Sequence, residues 1–343
     1  MSFAGRRVER ESPSTAGGDM TQQKHLKALI RGRQVRTGES YSIARKQILD
    51  RLRHVEVSLL TEFKAHQKHA NQIRFTNDGS ELLSGGFSGE AKIWSAKDWA
   101  QTGELVGHSQ SVNGFAVGAT RVVTVSSDRT VRLWDLPGRS EVRTLDRVGK
   151  QIVAVDLDSS GNSAWTGGFD GKVQRWTLEG EKTFETKVGD RVAAIAAHPS
   201  KDWLAVGMVG PDLLVMDGEG EPVARLQAPG EASVSVRWAN DGGFLVVASP
   251  NGSVVLWSTD DWEVARKIEV PGRGMLPIAV DSVSGVIAIG WEHHVGMWSP
   301  DAVEALATVD GLPKGVYSLD FSPDGSTLAQ CGADGRVRIW SIC

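Results

Sequence analysis

Cysteine and tyrosine are scarce in this 343-residue chain, which has two of each. Two thiols, Cys331 and Cys343, are too few for a disulfide framework. Free thiols suit a reducing compartment, so a cytoplasmic location is expected. Long apolar runs are also missing, and no stretch approaches the ~20 residues of a membrane-spanning helix. The N-terminal MSFAGRRVERESPSTAGGDM has basic residues but lacks the apolar centre of a secretory signal. The phosphate-cradling G-x-x-x-x-G-K-[ST], the metalloprotease H-E-x-x-H and the G-x-S-x-G elbow are all absent. His66 and His69, and the adjacent His293 and His294, do not make a metal reading, because neighbours on a strand point to opposite sides. The expectation is a protein that is not an enzyme, with no catalytic residues, no metal and no cofactor.

Against these shortages stand 39 glycines and 12 tryptophans. Six tryptophans end similar segments: EAKIW at Trp94, TVRLWD at Trp134, KVQRW at Trp176, SVVLW at Trp257, HVGMW at Trp298 and RVRIW at Trp340. DLLVMD, with Met216 in the tryptophan place, completes a series whose steps are 40, 42, 40, 41, 41 and 42 residues. Each unit holds alternating apolar residues and turns such as Asp78-Gly79, Asp241-Gly242 and Asp324-Gly325. Four short strands per unit make one small antiparallel sheet. Such a sheet buries its faces only by stacking on its neighbours, which gives a radial propeller. The expected fold is all-β: a seven-bladed β-propeller of four-stranded antiparallel blades over residues 55–343. The chain ends one strand short of a full last blade, and residues 55–63 are expected to supply that strand and remove an open edge.

These repeats resemble the WD-repeat (WD40) β-propellers. The fullest copy has Gly107-His108, Thr124, Asp128 and Trp134-Asp135. The resemblance implies a structural tetrad of His108, Thr124, Asp128 and Trp134 inside that blade. Other copies are degenerate: Ser88 stands in the aspartate position of the first, and Gly210, Asn251 and Glu292 in that of three others. The resemblance also implies that the residue seven before each repeat tryptophan projects at the top rim. Phe87, Phe169 and Trp291 are therefore candidate partner-binding residues, with Lys150, Arg191 and Met275 beside them on the loops that lead into the inner strands. Lys68 and Lys314 add further basic points.

Residues 1–54 differ in character. Twelve bases against five acids make this arm +7, which leaves −11 on the propeller out of a total of −4. Residues 1–20 are expected to be disordered, and 21–53 to form a helical hairpin started by Thr21 and broken at Gly38. Tyr41, Ala44, Ile48 and Leu52 form an apolar stripe at helical spacing. The segment VRTGESYSIARKQIL resembles short helical elements of bacterial proteins, including the helical part of ribbon–helix–helix antitoxins, without the preceding ribbon strand. Arg31, Arg33, Arg36, Arg45 and Lys46 are candidate contacts. They have three readings: docking on the propeller, binding a protein partner, or binding nucleic acid.

The functional expectation is a non-catalytic protein–protein interaction module or scaffold that presents the top rim of the propeller, with no membrane contact. Two alternatives remain open. One is a small-molecule sensor or enzyme that uses the central channel. The other is a nucleic-acid-associated protein that uses the arm.

Overall fold

The computed structural model describes residues 26–27, 30–31, 33–35, 38, 40–51, 55–147, 149–239, 242–300 and 304–343. The expected disorder of residues 1–20, the Thr21 cap, Arg36, Leu52 and Asp241 all lie outside them.

Twenty-eight strands form seven antiparallel sheets of four strands. Blade 1 is β2–β5 (residues 70–105), blade 2 is β6–β9 (112–147), blade 3 is β10–β13 (152–187) and blade 4 is β14–β17 (192–227). Blade 5 is β18–β21 (235–269), blade 6 is β22–β25 (278–309), and blade 7 joins β26–β28 (316–342) to β1 (Val57–Lys64). The last strand of the chain, β28 (Arg336–Ile342), pairs antiparallel with β1 from Val57↔Ile342 to Lys64↔Arg336. The expected closure is therefore realised. Glu56 and Cys343 extend the ladder by exchanging backbone hydrogen bonds in both directions.

Strand order places the apolar residues. Third-strand positions such as Ile93, Leu133 and Val215 are fully buried, and so are second-strand positions such as Leu82, Val123 and Leu204. The outermost strands are largely solvated, as in the alternating pattern of β13 (Lys182–Lys187). The core is consequently a ring of separate clusters, each lying between consecutive blades. At the turns, Gly79 and Gly325 adopt φ of +70° and +68°, which the Asp-Gly pairs predict.

The innermost strands expose an unpaired backbone edge to the channel, and side chains of neighbouring blades satisfy part of it. Asp320 on β26 (Val316–Phe321) accepts the Phe75 N–H at 2.7 Å, and Ser318 accepts the Ile73 N–H at 3.3 Å. Asp156 on β10 (Ile152–Leu157) accepts the Ala197 N–H at 3.0 Å. Asn113 donates to the Ile152 carbonyl at 2.8 Å. Blades are thus joined at the axis by polar contacts and further out by apolar packing.

In the arm, α1 (Tyr41–Arg51) packs Ala44 and Ile48 against Ile30, and all three are buried. Arg33 hydrogen-bonds to Gln47 across the hairpin. Arg31, Arg45 and Lys46 are exposed.

Deleting residues 57–64 should lower the melting temperature far more than deleting residues 1–50, because only the first deletion reopens the edge of blade 7. Differential scanning calorimetry of the two truncations checks this. Equal melting would refute the closure account.

Candidate interaction surface

Blade 2 holds a complete polar relay. Trp134 Nε1 donates to Thr124 Oγ1 at 2.8 Å, and the Thr124 hydroxyl lies 2.6 Å from His108 Nε2. His108 Nδ1 is 2.9 Å from Asp128. This geometry fits a neutral imidazole that carries its proton on Nδ1 and donates it to the carboxylate. Burial lowers the His108 pKa, in keeping with the neutral form. Burial alone would raise Asp128, but hydrogen bonds from Thr130 and His108 outweigh it and bring the carboxyl to about 2. All four groups are occupied by one another inside the blade, so the relay holds structure together and offers nothing to a substrate.

The other blades show how this arrangement decays. In blade 1, His66 and Trp94 meet at Ser84, with distances of 2.8 and 2.9 Å. The carboxylate comes from Glu90, two residues beyond the expected Ser88, at 3.4 Å from His66 Nδ1. Blade 3 keeps only the bond from Trp176 to Thr166, at 3.1 Å. Blade 4 replaces both partners with apolar groups, Met216 and Val206, and both are fully buried. Losing donor and acceptor together leaves nothing unpaired. Blade 5 has Val247 in the acceptor place and blade 7 has Gln330, and the buried indole N–H groups of Trp257 and Trp340 and the Gln330 amide have no hydrogen-bond partner.

The turns between second and third strands, and the loops into the inner strands, form one face of the ring. Phe87 is 50% exposed there. The Lys68 ammonium lies 5.9 Å from its ring centroid, and the His69 ring 5.5 Å. His69 also meets Tyr317 edge-on at 5.6 Å, so blades 7 and 1 share one aromatic cluster. Tyr317 was missed in the sequence because it lies on an inner strand. Its place as the second residue of β26, next to the loop end, was the available signal. Phe169 is half-buried under the Arg191 guanidinium, which lies 5.8 Å from its ring. Met275 is 57% exposed, and Lys150, Arg191 and Lys314 are also exposed.

Trp291 corrects the sequence expectation. It is only 6% exposed and stacks under His294 at 5.4 Å, with Trp298 at 6.0 Å. Gly272 makes the room: a Cβ there would sit 2.5 Å from the Trp291 ring. Spacing placed the residue near the rim but did not reveal that a glycine in the neighbouring loop would let it fold down. His293 and His294 take separate partners, the Leu312 carbonyl at 2.9 Å and Asp310 at 2.8 Å. Among the described residues no group of three or more His, Cys, Asp or Glu is placed to hold a metal ion.

The central channel is narrow, with about 110 Å³ of water-accessible space. One water needs ~10–15 Å³ of such space, so several waters fit there. Near one end, side chains of blades 1, 3, 5 and 7 converge. Arg74 lies 3.6 Å from Asp156 and 3.8 Å from Asp320, and Arg237 reaches the same region. The Asp320 charge raises the Arg74 pKa, while burial lowers Arg237 and raises Asp320. Two positive and two negative groups fill the passage with balanced charge. No converging acid–base pair with room for a substrate results.

Seven four-stranded blades closed by an N-terminal strand, with a buried Trp–Thr–His–Asp relay, define a β-propeller built from degenerate polar repeats. The family model for the WD domain, G-beta repeat, matches residues 57–95, 99–135, 220–258 and 304–341. The chain is a β-propeller that carries WD repeats in these four segments. Curated relatives include Transcription factor unc-37 of Caenorhabditis elegans, 22% identical over 196 residues, or 56% of this chain and 32% of that protein. Transducin-like enhancer protein 2 of Mus musculus is 26% identical over 187 residues, covering 53% and 24% of the two chains. Protein groucho of Drosophila melanogaster is 24% identical over 196 residues, covering 56% and 27%. The aligned part thus spans about a quarter to a third of each relative. No helix among the described residues is long and apolar enough to cross a membrane.

Two outcomes test the relay. Thr124→Val keeps the shape but leaves the Trp134 N–H and His108 Nε2 unpaired, so it should cost about 1–3 kcal/mol of stability, read from urea midpoints. His66 supplies a pH test, since burial holds its pKa down at about 4 against 6.5 in the unfolded chain. The unfolded state therefore takes up a proton before the folded state does. The contribution of His66 is present in full above pH 6.5 and is lost as pH falls toward 4. His66→Gln should flatten the urea-midpoint profile across that window.

Proposed function

We propose that the protein is a non-catalytic interaction module that presents the top rim of its propeller to a protein partner. The observation that carries this reading is the half-exposed Phe87, set between the Lys68 ammonium and the His69–Tyr317 rings at the seam of blades 7 and 1. Exposed aromatics with adjacent cations are the composition of interface hot spots. The ring that supports them is rigid, so binding costs little ordering entropy. Met275 and Tyr317 both line the channel on this side and extend the surface across the mouth. The WD-repeat match over four segments supports an interaction module as the class of activity.

The narrow, charge-filled channel counts against the small-molecule or enzymatic alternative. For the arm, we favour docking on the propeller over nucleic-acid binding. Arg33 lines one cavity together with Asp78 and Asp324, so one base of the arm lies beside acidic turns of the propeller. A cytoplasmic location is part of the proposal, supported by two free cysteines of which Cys331 is buried.

Affinity capture with the full chain tests this reading. A partner retained by the wild type and by a truncation lacking residues 1–50, but lost from the Phe87→Ala/Met275→Ser double variant, assigns function to the rim. Capture that survives the double variant and disappears with the arm overturns it.

A further inference from the structure

Antiparallel alternation puts the turns after the first and third strands of every blade on the face opposite the rim. On that face two seams carry the same pair of rings. Between blades 4 and 5, Trp238 ends β18 (Ser235–Trp238) and meets Trp262 edge-on, with centroids 6.4 Å apart and planes at 69°. Between blades 7 and 1, Phe75 ends β2 (Ala70–Phe75) and meets Trp99 at 6.5 Å and 72°. Both turn tryptophans hold left-handed backbone, with φ of 58° and 60°. The two seams are copies of one design.

They differ in two further rings: His198, which lies 4.7 Å from Trp238 and 5.5 Å from Trp203, is matched by Ser322, and Trp203 itself is replaced. At the seam of blades 4 and 5, Trp203 opens β15 (Trp203–Met208), lies 6.0 Å from Trp262, and is capped by the Lys201 ammonium at 3.8 Å. The equivalent residue of blade 7 is Thr327, which opens β27 (Thr327–Gly332). Register supports the equivalence: Trp203 faces the Asp217 backbone and Thr327 that of Ser341, each on the following strand. The preceding turns match as well, since the His198 N–H bonds to the Trp203 carbonyl as the Ser322 N–H bonds to that of Thr327. Where the first seam holds an indole, the second has a cavity of about 550 Å³ lined by Phe75, Trp99, Pro323 and Thr327 on one part and by the acids Asp78 and Asp324 on another, with Arg33 of the arm among the lining residues.

We propose that this cavity is a second docking site, on the face away from the rim, for a tryptophan side chain presented by a protein partner. The twin seam supplies the argument for the occupant: a pair of rings at a matching angle lies beside an indole there, with the turn tryptophan Trp262 in direct contact with it as Trp99 would be here. The volume lies within the ~300–1,000 Å³ of sites that bury ring-sized groups. Tryptophan is also the residue most enriched among interface anchors. The site shares no residue with the Phe87 surface, so it stands or falls separately from the rim.

The test uses N-acetyl-tryptophanamide as probe and the full chain as receptor, read by calorimetry and by saturation transfer to the methyl group of Thr327. Wild type should bind in the millimolar range or tighter, with transfer to that methyl. Thr327→Trp, which copies Trp203, should melt at or above the wild-type temperature and bind at least roughly tenfold more weakly, a difference worth about 1.4 kcal/mol. Thr327→Phe provides the same test with a smaller ring should the first variant fold poorly. Absent wild-type binding, affinity unchanged in either variant, or equal affinity for N-acetyl-leucinamide would overturn the proposal. Tighter binding of free indole than of the amide would overturn the protein source of the ring.

Discussion

Every blade is a sheet with an edge, and an edge of unpaired N–H and C=O groups is tolerable only if it is covered or paired. Ring closure is the constraint on which the rest of this molecule depends. Blade 7 takes three strands from residues 316–342, and β1, drawn from the segment before blade 1, supplies the fourth. That exchange locks the first and last parts of the sequence into one sheet. It also brings Tyr317, from blade 7, to the seam beside Lys68, His69 and Phe87, some 230 or more residues earlier in the chain.

At the axis the same problem recurs in smaller form. Inner strands cannot pair with one another across a channel, so Asp320, Ser318, Asp156 and Asn113 reach to the neighbouring blade and take up backbone groups there. Two of these acids also face Arg74, so the residues that staple the blades carry the charges that fill the passage. The narrow channel is thus a by-product of holding the ring together, and it leaves the loop faces as the surfaces available to partners.

The repeats were free to diverge wherever their polar accounting could be kept. Blade 2 keeps all four groups of the relay, blade 1 recruits Glu90 in place of an aspartate, and blade 4 discards donor and acceptor together. Blades 5 and 7 retain an indole N–H that makes no hydrogen bond. The same divergence separates the two aromatic seams, where Trp203 of one is matched by Thr327 beside a cavity in the other.

The seven blades, their boundaries and the closing strand were legible in the sequence. A step of about 41 residues and period-2 alternation are local regularities, and a small two-faced sheet has few ways to bury itself. The relay of blade 2 was legible through the family resemblance, since each of its residues stands at a fixed distance from Trp134. Exposure was not legible. Phe87 and Trp291 hold the same place in their repeats, yet one faces solvent and the other lies under His294, because Gly272 in an adjoining loop makes room. The convergence of Arg74, Asp156, Arg237 and Asp320 and the vacancy beside Thr327 likewise depend on residues from different blades. Periodicity acts along the chain and determined the fold; contacts between blades act across the ring, and only the tertiary structure decided which side chains remain free to bind.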